Sequence, residues 1–70
     1  MKLSARNQLQ GTVTNVHTDG VMAEVTVALP GGQTLVSVIT AESSQRLGLK
    51  QGSAVVVVIK ATEAMIATND

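Results

Sequence analysis

Apolar and polar residues alternate along most of this chain, and the places where the alternation breaks mark its elements. From Asn7 to His17 the sequence reads NQLQGTVTNVH. Leu9, Gly11 and Val13 fall on one face of a strand, and Gln8, Gln10, Thr12 and Thr14 fall on the other. Val16 breaks the period, which predicts a bulge or the strand end near Asn15. Thr18-Asp19-Gly20 is a turn signal between apolar runs. VMAEVTVAL then gives the cleanest alternation in the chain. Val21, Ala23, Val25, Val27 and Leu29 are expected on the core side, with Met22, Glu24, Thr26 and Ala28 outward. Pro30-Gly31-Gly32 closes a tight hairpin, and QTLVSVIT is a third strand.

At Thr40 the two-residue period stops. TAESSQRLGL predicts one or two helical turns, with Thr40 as cap, Glu42 in the first turn and Gly48 as a left-handed stop. Lys50-Gln51-Gly52 is a further turn. The run Val55 to Ile59 is apolar on both faces, whereas a sheet with one wet face should alternate. It predicts a closed barrel covered outside by another subunit. Thr62 and Glu63 interrupt, and Ala64 to Ala67 form a short last strand. The expected architecture is all-β: a five-stranded OB-like Greek-key barrel with one short helical turn between strands 3 and 4, in a single domain spanning 1–70.

Composition narrows what such a barrel can do. Seventy residues without Cys, Phe, Tyr or Trp must build a core from aliphatic side chains alone. Chains this small usually need a disulfide, a metal or a partner. The first is excluded, and a structural zinc site is nearly so, since His17 is the one His. Oligomerisation remains. The formal net charge is zero, which provides no long-range field toward nucleic acid or an acidic membrane. Single-stranded nucleic acid is also bound by stacking on aromatic rings, and this chain has none. No apolar run approaches the roughly 20 residues of a membrane span, and the polar start does not resemble a signal peptide. The expectation is a soluble cytoplasmic protein with neither nucleic-acid nor membrane partners.

Catalysis has little to work with. Asp19, Glu24, Glu42, Glu63 and Asp70 are scattered over turns and strand surfaces, and His17 has no nearby nucleophile. What remains is an inventory of hydrogen-bond donors. Ser4 and Arg6 are two apart and share a strand face; Lys60 and Thr62 share that spacing near the other end. Thr40 and Ser43 open the helical turn. Cations, hydroxyls and unpaired amides suit a small oxyanion and not a cation, which wants carboxylates and carbonyls. Each has a plainer reading: Arg6 as a surface residue, Lys60 as an edge guard, Thr40 as a helix cap.

The segments KLSARNQLQGTV, AEVT, VITAESSQRLGLKQG and IKATEAMIA together resemble the molbindin (Mop) domain of molybdate-binding proteins, over essentially the whole chain. The resemblance implies an OB-like barrel of the TOBE type and a homo-oligomer, a hexamer built as a trimer of dimers with exchanged strands. It implies molybdate or tungstate bound between subunits, for oxyanion storage and homeostasis. Carried over onto this sequence, its first site type comprises Ser4, Arg6, Thr40, Ser43 and Lys60, joined by Ala61 through its N–H and by Thr62. Its second type maps to Gly20, Val21 and Met22. Many members carry Asn at the position of Met22, so backbone amides would serve there. The alternative is a structural or interaction module that keeps the fold and assembly without anion binding.

Overall fold

A computed structural model describes residues 2–69; Asp70, one of the acids named above, lies outside them. Four strands, β1 (Asn7–Asp19), β2 (Met22–Ala28), β3 (Thr34–Thr40) and β4 (Ala54–Ile59), form one antiparallel sheet in the order β3-β2-β1-β4. Helix α1 (Ala41–Leu47) connects β3 to β4, and a 3-10 turn, Ala61–Glu63, follows β4. The mostly-strand architecture with one helix after the third strand is as expected. The fifth strand is not: residues 64–69 are exposed and pair with no strand.

The long first strand organises the rest. Its first half pairs with β4, from Asn7↔Ile59 to Thr12↔Ala54. Its second half pairs with β2, from Thr12↔Ala28 to Asp19↔Met22. The register shifts between Val13 and Asn15, so Thr14 is the extra residue of a bulge, and its hydroxyl donates to the Thr26 carbonyl at 3.3 Å. The bulge bends the strand so that it serves both halves of a curled sheet. Gly11 sits just before the bend. A Cβ there would meet Val27 Cγ1 at 2.5 Å and the Ala28 carbonyl oxygen at 2.8 Å. Only glycine lets β1 pass this close to β2.

The hairpin from β1 to β2 is tighter than the sequence pattern suggests. Gly20 and Val21 alone form the loop, with Gly20 at φ 61°. Val21 is therefore a turn residue, 79% exposed, and not the first member of the core face. The core begins at Ala23 and consists of Val13, Ala23, Val25 and Val27, flanked by half-buried Val16, Leu29, Ile39, Leu49, Val55 and Val57. β4 alternates after all. Val55, Val57 and Ile59 turn inward, while Val56 and Val58 are 40% and 42% exposed in the single chain.

The helix follows its local code. Ser43 N–H donates to Thr40 Oγ1 at 3.0 Å, the N-cap bond. Gly48, at φ 65°, ends the helix, with its N–H on the Gln45 carbonyl at 3.0 Å and the Leu49 N–H on the Ser44 carbonyl at 3.1 Å. This stop turns Leu49 toward the core cluster. The sheet stays open between β3 and β4, its two edge strands. A groove of 240 Å³ lies there, lined by Val25, Ile39, Leu49, Val55 and Val57 among others.

Candidate functional site

The candidate donors fall into two groups at opposite ends of β1. The first is built by the β1–β4 ladder. Asn7 pairs with Ile59, so Arg6 and Lys60, each one residue beyond that pair, leave the ladder at the same end of the sheet. Ser4 precedes Arg6 by two residues, and Ala61 and Thr62 begin the 3-10 turn directly after Lys60. Ser4, Arg6, Lys60, Ala61 and Thr62 are all exposed. Two cationic residues thus lie at one end of the sheet, on the two chain segments that also carry Ser4, Ala61 and Thr62. The expected shared strand faces are not formed: β1 begins only at Asn7, after Ser4 and Arg6, and β4 ends at Ile59, before Lys60, with Thr62 in the 3-10 turn; the register brings the two segments to one end of the sheet instead.

The second group lies at the far end. Thr40 pairs with Met22 across the β2–β3 ladder, and Met22 pairs with Asp19 across the β1–β2 hairpin. The Ala41 N–H donates to the Val21 carbonyl at 2.8 Å, which ties the start of α1 to the Gly20–Val21 turn. Thr40, Ser43, Gly20, Val21 and Met22 therefore form one neighbourhood. The Thr40 hydroxyl donates to Ser43 Oγ at 2.7 Å, so its proton is committed. The Ser43 hydroxyl, as acceptor in that bond, keeps its own proton for another partner.

The whole length of β1, thirteen residues, separates the two groups. Thr40 and Ser43 are thus not brought to Arg6 and Lys60 within one chain. They are brought instead to Gly20, Val21 and Met22, the residues expected for the second site type. Chemistry differs between the ends as well. The first group carries two cations and two hydroxyls, with Glu63 next in the chain after Thr62. In the second, Met22 has no proton to give, and the Asp19 carboxylate stands opposite it. A wider cleft of 690 Å³, lined by Gln10, Thr12, Leu29 and Pro30 among others, opens where β1 leaves β2 and presents no cationic side chain. Among the described residues no group of three or more His, Cys, Asp or Glu is placed to hold a metal cation, and no helix is long and apolar enough to cross a membrane.

Comparison with known proteins identifies the family. Residues 3–66 match the TOBE domain. Molybdenum-pterin-binding protein 1 of Clostridium pasteurianum is 41% identical over 66 residues, which cover 94% of this chain and 97% of that protein. In solved structures, a molybdate-binding protein from Sporomusa ovata superposes with a TM-score of 0.91 at 37% identity, covering 97% of this chain and all of that one. The cytoplasmic molybdate-binding protein ModG, solved with molybdate bound, reaches a TM-score of 0.84 at 51% identity over 87% of this chain and 43% of its own. By sequence and by fold alike, the chain belongs to the TOBE-domain family, among the small molybdenum-pterin-binding (Mop) proteins.

Proposed function

We propose that this protein binds molybdate, and tungstate by the same chemistry, as a cytoplasmic oxyanion store, and that the site is shared between chains of a homo-oligomer. The observation that supports the reading is the register Asn7↔Ile59, which brings the segment carrying Ser4 and Arg6 and the segment carrying Lys60, Ala61 and Thr62 to one end of the sheet. Two cations without a carboxylate among those residues match a tetrahedral dianion. The dianion sheds water on entry; Arg6 and Lys60 neutralise its charge, and hydroxyls and the Ala61 N–H satisfy its oxygens. Hydrogen bonds to a charged group contribute about 1.5–3 kcal/mol each. A few of them, less desolvation, suffice for affinity of about micromolar order, near −8 kcal/mol.

Ser43, held in place by Thr40, completes the cage from a second chain, since their own chain holds both at the other end of β1. The open groove between β3 and β4 supports the same assembly. It has the place of a missing fifth strand, and segment 64–69 carries Met65 and Ile66 fully out of its own fold, 93% and 91% exposed. Insertion of this segment into a neighbour's groove makes an exchanged dimer, and three such dimers make the hexamer. Gly20, Val21 and Met22 offer a second, weaker site from backbone amides, because Asp19 repels a dianion there.

Calorimetric titration with molybdate, tungstate, sulfate and phosphate tests the function. Molybdate and tungstate are expected to release heat and raise the melting temperature, with sulfate at equal concentration doing much less. A flat molybdate titration would leave an assembly module without a ligand.

A further inference from the structure

We infer that the bound oxyanion also controls strand exchange, because its candidate ligands Lys60 and Thr62 lie in the hinge that decides whose barrel segment 64–69 completes; this rests on the reading just given. β4 ends at Ile59. Lys60 is extended (φ −62°, ψ 138°), Ala61–Glu63 form the 3-10 turn, the Glu63 N–H donates to the Lys60 carbonyl at 2.9 Å, and Ala64 is extended again (φ −81°, ψ 125°). The connection at 60–63 has the length of an ordinary hairpin loop, so the segment could fold back between β4 and β3 of its own chain. It could equally leave for a second copy. The groove is the same in either case, lined by Val25, Ile39, Leu49, Val55 and Val57. Strand–groove contacts are therefore alike in the two arrangements and cancel in the comparison. What differs is the hinge, together with the concentration of chains.

The hinge is also where the ligand acts. Arg6 and Lys60 each lie one residue beyond the Asn7↔Ile59 pair, at the same end of the sheet. Without a guest, a hinge conformation that brings these like charges together is disfavoured. A dianion reverses the sign of that interaction. It holds Lys60 and Thr62 against Arg6 and so fixes the chain direction at Ala64. The cage is complete only when Ser43 and Thr40 arrive from another copy. The anion thus has different affinity for the exchanged and the self-closed arrangement, which is the condition for a ligand to shift an equilibrium. In this account the oxyanion is both cargo and assembly signal: a chain short of molybdate exchanges its strand freely, and a loaded one is locked.

The test is subunit exchange between unlabelled and nitrogen-15-labelled protein, followed by native mass spectrometry with no anion, with saturating molybdate and with sulfate. Occupancy is fixed by calorimetry on the same samples. Molybdate is expected to slow mixing at least tenfold, and sulfate is expected to leave it within twofold. Mixing unaffected by molybdate while calorimetry records binding overturns the coupling and spares the binding function; no binding overturns both. A variant with two glycines inserted between Glu63 and Ala64 separates hinge control from simple bridging of two chains. At equal occupancy its molybdate effect is expected to fall below threefold. If the full slowing persists there, the hinge is not the device.

Discussion

Separation of the donors along β1 makes a demand that mixed assemblies can check. If Arg6 of one chain and Ser43 of another face the same anion, then an Arg6→Ala chain and a Ser43→Ala chain are each defective in a different half of the site. Arg6→Ala removes a charge paired with a desolvated dianion, at a cost of about 2–5 kcal/mol, or roughly 30-fold to several thousand-fold in Kd. Ser43→Ala removes one hydroxyl donor to a charged guest, about 1.5–3 kcal/mol. It leaves Thr40 Oγ1 still accepting the Ser43 N–H, so the helix cap survives. Each homomer should lack tight sites. In a one-to-one mixture, a site is intact when its Arg6 half comes from the Ser43→Ala chain and its Ser43 half from the Arg6→Ala chain. Each condition holds for about half of the sites, so about a quarter regain wild-type affinity by symmetry. Co-expression with two tags, followed by calorimetric titration, reads this directly as a tight phase of about a quarter of the wild-type stoichiometry. A mixture with no tight phase, in assemblies of normal size, would show that one chain supplies both halves, and the intersubunit geometry would fall.

Three further outcomes follow from particular contacts. Gly11→Ala forces a methyl against Val27 and the Ala28 carbonyl; overpacking of this kind costs about 1–3 kcal/mol, and at about 4–8 °C per kcal/mol for a domain this size a melting scan should fall by about 4–24 °C, an unchanged midpoint showing that the strands can spread. Thr40→Ala loses the N-cap bond to Ser43 N–H and should cost about 0.5–2 kcal/mol in urea unfolding. Thr40→Asp keeps a capping oxygen and should hold that stability while weakening molybdate binding by charge repulsion; equal affinity in the Asp variant would remove Thr40 from the site. Ile66→Asp puts a carboxylate where an apolar groove would receive it, and sedimentation at micromolar concentration should show smaller species; an intact oligomer would mean that segment 64–69 does not fill the groove.

Features that a few neighbouring residues decide were legible in the chain. The Thr40 cap and the Gly48 stop are written in single side chains and one backbone angle, and both are present as expected. The bulge near Asn15 announced itself because Val16 fell out of step. Val21 was misplaced for an equally local reason. The Thr18-Asp19-Gly20 turn signal sits one residue early, and the two-residue loop Gly20–Val21 moves the start of the buried face to Ala23. The valine run of β4 looked buried on both sides because alternation cannot say what lies outside a sheet; in the single chain Val56 and Val58 are half open.

The fifth strand and the site itself failed to show for one shared reason, and it bears on function. Strand character at Ala64–Ala67 is a property of sequence, but pairing is a property of two edges, and nothing local names whose edge is meant. The same holds for the oxyanion donors. Spacing paired Ser4 with Arg6 and Lys60 with Thr62, yet only the register Asn7↔Ile59 brings the two segments to one end of the sheet, and on the proposed reading Ser43 comes to them from a second chain. A chain of seventy residues without an aromatic ring, with four buried apolar side chains among the described residues, has little stability to spare for cations gathered at one edge. If a neighbour and a dianion dock at that edge, as proposed, the cost becomes a requirement for ligand. The polar start of β1, a poor choice for an isolated core, is what a shared site needs.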